Sequence, residues 1–277
     1  DGLRGIAALA VLVFHAPGVF AGVGWVTVAS RWSRGGWLGV DLFFALSGYL
    51  ITRGLLRDRG APLARFYGRR ALRIMPLYYL YLAAVFAFAP LPVRLVDLAP
   101  GDAALFVAYL GAVPGAVGHY PGHLFAPLWS VGVEEHFYLV WPLVMRGRNA
   151  PSILRACIVG AVVAVLARAA SLAVLDPDAA GILTPCRLDA LLAGAVLAVV
   201  ASTRGEIEVT RWCRARVWYA LAWLVVVALT PLGPWSHHGV YPSRAYLVLG
   251  YTVTSVACAV SVGSVAHGAP PVAWLRV

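Results

Sequence analysis

Four segments of this chain set ionisable side chains inside apolar runs, where a charge is expensive and a functional cavity is its usual reason. In the first, DGLRGIAALAVLVFH at 1–15, Arg4 and His15 stand ~16 Å apart along one helix. An imidazole, with an ordinary pKa near ~6.5, can take a proton from a hydroxyl or carry an acyl group transiently. The structural alternative is a neutral histidine bonded to a backbone carbonyl. In the second, GVDLFFALSGYLIT at 39–52, Asp41 requires a cationic or histidine partner from a neighbouring helix. Ser47, beside Gly48, is either a nucleophile or part of a close helix contact, and such small residues more often serve packing.

The third segment, FYGRRALRIMPLYY at 66–79, puts Arg70 and Arg73 three apart on a helix face at the edge of an aromatic span. Guanidinium groups grip phosphates in a bidentate manner, so this pair suits an anionic cofactor such as coenzyme A; lipid headgroups and topology are the alternative. The fourth, LWSVGVEEHFYLVWP at 128–142, gathers Glu134, Glu135 and His136. Adjacent residues project about 100° apart on a helix, which predicts different partners for the two carboxylates, at least one of them a salt bridge. Further on, Arg187 and Asp189 put another cation and acid into a span, either lining the same cavity or paired with each other. His119 and His123 flank Pro121 and Gly122, which rules out a helical metal pair, and no metal is expected.

The elements that carry these groups are dictated by composition. Of 277 residues, 61% are hydrophobic and 12% charged, and mean hydropathy is +0.80. No water-soluble core hides that much apolar surface, and a soluble domain carries roughly a quarter charged residues. Lipid offers the backbone no hydrogen bonds, so long apolar runs without alternation must be helices. The fold class is therefore all-α, a polytopic transmembrane helix bundle in contact with the bilayer. Spans are expected near 2–22, 36–55, 71–92, 127–145, 152–174, 182–202, 214–231 and 243–266. The chain reads as one domain over 1–277, with neither an internal repeat nor a cleaved signal peptide expected. Cys157, Cys186, Cys213 and Cys258 match no zinc or redox spacing and read as structural.

All 22 basic residues are arginine, against 12 acids. Seven of them, from Arg53 to Arg73, crowd the connection between the second and third spans opposite the single acid Asp58, which assigns that connection to the cytoplasm and starts the first helix there. The stretch 102–118 either spans or re-enters. A re-entrant path leaves Arg146, Arg148 and the arginines of 204–216 inside, as charge prefers; a spanning path puts them outside.

With their order and spacing, these motifs resemble the acyltransferase 3 family of bacterial membrane O-acyltransferases, closely over the first half of the chain and more loosely at RLDALLAG, 187–194. Past about residue 200 only hydropathy agrees, and the family domain is expected to continue one or two helices beyond this chain. Val131-Gly132 departs from the family's usual Leu-Ser before the Val-Glu-Glu run. The resemblance implies that Arg4 and His15 match the family's essential Arg and His, and that Arg70 and Arg73 match its paired arginines. It implies transfer of an acyl group, often acetyl, from acyl-coenzyme A to a hydroxyl of a glycan or of a small molecule such as a macrolide, in the bacterial inner membrane.

On that reading His15, Glu134 and Glu135 are the catalytic candidates, with a glutamate orienting His15 or an arginine. Arg4, Arg70 and Arg73 bind the donor, and Asp41, Ser47 and Arg187 line the cavity. Direct transfer and an acyl-enzyme relay both fit. A proton-coupled transporter or flippase is the competing class, since intramembrane charges also mark ion paths, but it predicts an inverted repeat that the sequence lacks. No nucleic acid partner is expected.

Overall fold

A computed structural model describes residues 2–19, 34–88, 96–229 and 244–266, which form helices and the turns between them, with no strand among the described residues. The helices are α1 (Gly2–Val19), α2 (Leu38–Arg57), α3 (Leu63–Phe88), α4 (Asp102–Val107), α5 (Val113–Ala116), α6 (Leu128–Met145), α7 (Ala150–Val174), α8 (Ala179–Ile182), α9 (Thr184–Arg204), α10 (Glu206–Leu229) and α11 (Tyr251–Ala266). A π turn, Tyr246–Gly250, leads into α11. Four segments are long and apolar enough to cross a bilayer: Gly35–Arg57, Ala150–Val174, Ala179–Arg204 and Tyr246–Ala266. The other expected spans are present as helices α1, α3, α6 and α10; α1 is apolar but short, over Gly2–His15, and the other three carry charged groups that lower their hydropathy. Asp1 and the expected span ends at 20–22, 89–92, 230–231 and 243 lie outside the described residues.

Start and stop signals are local. Asn149 caps α7 by accepting a hydrogen bond from the Ser152 amide at 3.1 Å, and Pro151 occupies the first turn, where no amide is needed. Gly205, with φ of 87°, ends α9 in a conformation that other residues resist.

The centre of the bundle is the crossing of α2 and α9, where the backbones nearly touch. A Cβ on Gly48 would lie 1.8 Å from the Leu191 carbonyl oxygen, and one on Gly194 would lie 1.9 Å from that of Ala45. Apolar lipid gives helices no hydrophobic reason to associate, so close van der Waals contact through small residues holds them. Phe44, Ile51, Leu191, Leu192 and Val199 fill the core on either side of this crossing.

The stretch 102–118 does not span. It makes two short helices, α4 of 6 residues and α5 of 4, far below the ~20 that a crossing needs. Besides its own turns, its backbone is satisfied from α3, where Tyr78 donates to the Phe106 carbonyl at 2.7 Å and Tyr79 to Val107 at 3.2 Å, while Tyr81 reaches just beyond it to Leu124 at 2.8 Å. Gly132 closes the other side, because a Cβ there would sit 2.3 Å from the carbonyl oxygen of Tyr109, itself at φ 60°. The departure from the family's serine at 132 is thus matched by a tight contact with this segment.

A consequence is that the arginine-bearing connections gather at one end. Arg53 near the end of α2 meets Glu206 at the start of α10 at 3.1 Å, Tyr67 of α3 donates to the Leu139 carbonyl at 2.9 Å, and Trp141 of α6 donates to Thr52 at 2.8 Å. This is the arginine end of the bundle. The α2–α9 crossing predicts that Gly48→Ala destabilises the detergent-solubilised protein by about 1–3 kcal/mol through overpacking. Gly54→Ala, on the same helix with nothing within 4 Å of its new methyl, stabilises or is neutral. Thermal unfolding of the two variants measures the difference.

Candidate active site

At the end of the bundle opposite the arginines, His15 of α1 lines a small enclosed chamber with Trp37, Trp129, Ser130, Arg187 and Tyr251. About 20 Å³ is free in it, room for roughly one water molecule. The first turns of α2, α6 and α9 meet here, so the crossing of α2 and α9 also fixes which side chains face His15.

Arg187 is 1% exposed and donates from Nη2 to Asp41 Oδ1, which supplies the partner that Asp41 required. Its guanidinium lies 4.2 Å from the centroid of the Tyr251 ring and 5.8 Å from that of Phe44. Nε and Nη1 of Arg187, Oδ2 of Asp41 and the Tyr251 hydroxyl are buried with no hydrogen-bond partner among the described residues. Buried donors left unmade cost about 1–3 kcal/mol each, and in native proteins such groups mark strain or a ligand position.

Arg187 and Asp189 do not pair with each other. Asp189 is held by Arg168 at 2.9 Å and accepts from Thr252 at 2.7 Å, while Arg168 also donates to the carbonyls of Val248 at 2.9 Å and Cys186 at 2.5 Å. Arg168 is fully buried and was absent from the sequence candidates, although an arginine inside the run 152–174 is the same signal that singled out Arg187. Two separate ion pairs, Asp41–Arg187 and Asp189–Arg168, therefore cross-link α2, α7 and α9.

Nearer the arginine end lies a second cluster. Glu134 of α6 accepts from Ser47 of α2 at 2.9 Å on one oxygen and from Tyr138 at 2.7 Å on the other. Tyr138 was not singled out in the sequence. It lies one turn from Glu134, and its hydroxyl is 3.2 Å from Ser47. Arg70 of α3 stacks over the Tyr138 ring at 4.5 Å, and Arg4 and Arg70 both act electrostatically on Glu134. The glutamate thus sits among arginines and hydroxyls. Glu135, on another face, has Oε1 buried without a partner among the described residues, and His136 bonds Thr184 of α9 at 2.7 Å. The expected sharing of one face by Arg70 and Arg73 is incomplete: Arg70 turns toward α6, whereas Arg73 is exposed. His119 and His123 are also separate, the first bonded to Asp102 at 2.9 Å and the second to Tyr120 at 3.0 Å. The four cysteines are buried free thiols.

Comparison with known proteins finds relatives among O-acetyltransferases. The chain is 34% identical over 155 residues to a peptidoglycan O-acetyltransferase, OatA, of Listeria monocytogenes, a match covering 51% of this chain and 23% of that protein. It is 32% identical over 158 residues to a putative peptidoglycan O-acetyltransferase, YrhL, of Bacillus subtilis, covering 52% and 23%. It is 31% identical over 157 residues to the O-acetyltransferase OatA of Staphylococcus aureus, covering 52% and 24%. These matches span about a quarter of each relative's length. No solved structure matches the chain. The model of the acyltransferase domain matches residues 1–265, which carries the family likeness through α11 and past residue 200, where the sequence motifs run out. The chain belongs to the acyltransferase 3 family.

Proposed function

We propose that this chain is the membrane-embedded part of an O-acetyltransferase that moves an acetyl group from acetyl-coenzyme A to a hydroxyl of a glycan, in the bacterial cell membrane with α1 starting in the cytoplasm. The single observation that carries the chemistry is the chamber in which His15 faces an arginine with two unspent donors. His15 accepts the proton of the acceptor hydroxyl as its oxygen attacks the thioester carbonyl carbon. One of the two unspent Arg187 donors, Nε or Nη1, stabilises the charge that develops on the carbonyl oxygen, where fixed donors in a preorganised site are most effective. The C–S bond then breaks, and the proton passes to the departing thiolate.

The donor's phosphates fall to the arginine end, where Arg70, Arg73 and Arg4 supply the cations. Glu134 orients Arg70 through Tyr138, and Ser47 completes that bond set. The concentration of arginine at this end supports its assignment to the cytoplasm, where acyl-coenzyme A is made. The peptidoglycan named for two relatives favours a glycan acceptor over a macrolide.

His15→Ala is expected to lower acetyl transfer by at least about 100-fold in a protein that keeps its thermal midpoint; measured with labelled acetyl-coenzyme A in detergent, full transfer by the folded variant would refute the mechanism. Arg70→Ala acts first on donor binding, raising the donor KM by roughly 10-fold for a lost charge-assisted contact. An unchanged donor KM in steady-state kinetics would remove Arg70 from the donor site.

A further inference from the structure

A second cavity, of about 200 Å³, opens on the same end of the bundle as the His15 chamber. Its walls come from the non-spanning segment 111–126 and from the turn between α7 and α8, and they bring Tyr120, Trp129, Asp176 and Asp178 to one space. Trp129 lines this cavity and the His15 chamber alike, so its indole borders both. Phe44 holds that indole edge-on at 6.0 Å.

We infer that this cavity is the acceptor site for a neutral sugar ring, which it holds between aromatic faces and carboxylates and presents across Trp129 to His15. The inference rests on the transferase reading above and adds to it the place and charge class of the acceptor.

Several observations support it. Tyr120 and Trp129 offer flat apolar faces of the kind that cover the C–H face of a pyranose, and Tyr120 is exposed at the mouth. Asp178 Oδ1 is buried without a partner among the described residues, leaving a strong acceptor for sugar hydroxyls. Burial and the neighbouring Asp176 push the Asp178 carboxyl up to about 7, so near neutral pH it can give as well as take a hydrogen bond. Gly111, Gly115 and Gly118 also line the cavity, and Gly118 lies beside Asp176, whose Oδ2 a Cβ there would approach to 3.6 Å. Asp176, with Asp178 only partly ionised beside it, works against an anionic ring, which would also raise the cost of ionising Asp178.

The test uses the full-length protein in nanodiscs, acetyl-coenzyme A as donor, and chitotriose or tri-galacturonic acid as acceptor. The wild type is expected to acetylate chitotriose in preference to the uronate. Asp178→Asn and, separately, Tyr120→Leu should each raise the chitotriose KM by about 10-fold, the scale of one lost contact to a charged group, while the donor KM and donor hydrolysis hold. Tyr120 lies at the exposed mouth, so its variant carries the test even if Asp178→Asn does not fold. If the wild type transfers acetyl while both folded variants keep their chitotriose KM, or if the uronate is preferred, the acceptor site is overturned and the transferase reading stands. A wild type that consumes no donor overturns the transferase reading and this inference with it.

Discussion

The contact of α2 with α9 is the constraint on which the rest of the molecule depends. Two glycines, Gly48 and Gly194, let two backbones approach until each faces a carbonyl of the other helix. That approach brings Asp41 and Arg187 together deep in an apolar bundle, where neither is tolerable alone. With the axis set, α1 lies against α2 and delivers His15 to the same end, and α6 delivers Trp129 and Ser130.

A buried ion pair is weak evidence for stability, since desolvation offsets much of its attraction. Its value here is positional. Asp41 occupies one edge of the Arg187 guanidinium and leaves the remaining donors buried and unspent, whereas Arg168, a few turns away, has its donors taken by Asp189, Thr252 and two carbonyls. Of two arginines in similar surroundings, one is saturated and structural, and the other retains capacity beside a histidine. The same division separates the two ends of the bundle. Arginines near the surface at one end suit phosphates, and a small chamber walled largely by aromatic and aliphatic side chains lies at the other.

Much of this was legible in the sequence, because the cost of charge in lipid is legible there. The helical bundle, the need of Asp41 for a partner, the packing role of Gly48 and the family itself all follow from residue type and spacing. The partition of Arg187 and Asp189 to different partners was not, since two residues apart on a helix face nearly opposite directions and the identity of the neighbours is a tertiary fact. The segment 102–118 was undecided for a related reason: it is apolar like a span, but its backbone closes on its own short turns and on two tyrosines from α3, partners that only the tertiary structure shows. Tyr138 and Trp129 escaped notice because aromatic residues in a membrane sequence carry no signal of their own until something polar is seen beside them.

The central claim is that the free edge of Arg187 acts on the reacting acyl group beside His15, and Arg187→Lys tests it most directly. Lysine keeps a cation for Asp41 but replaces the guanidinium fork by a single compact ammonium. Steady-state transfer from acetyl-coenzyme A, measured alongside thermal stability, should show kcat reduced by about 100-fold, as for loss of an oxyanion donor, with the donor KM and the thermal midpoint retained. A lysine variant that turns over at the wild-type kcat would contradict it.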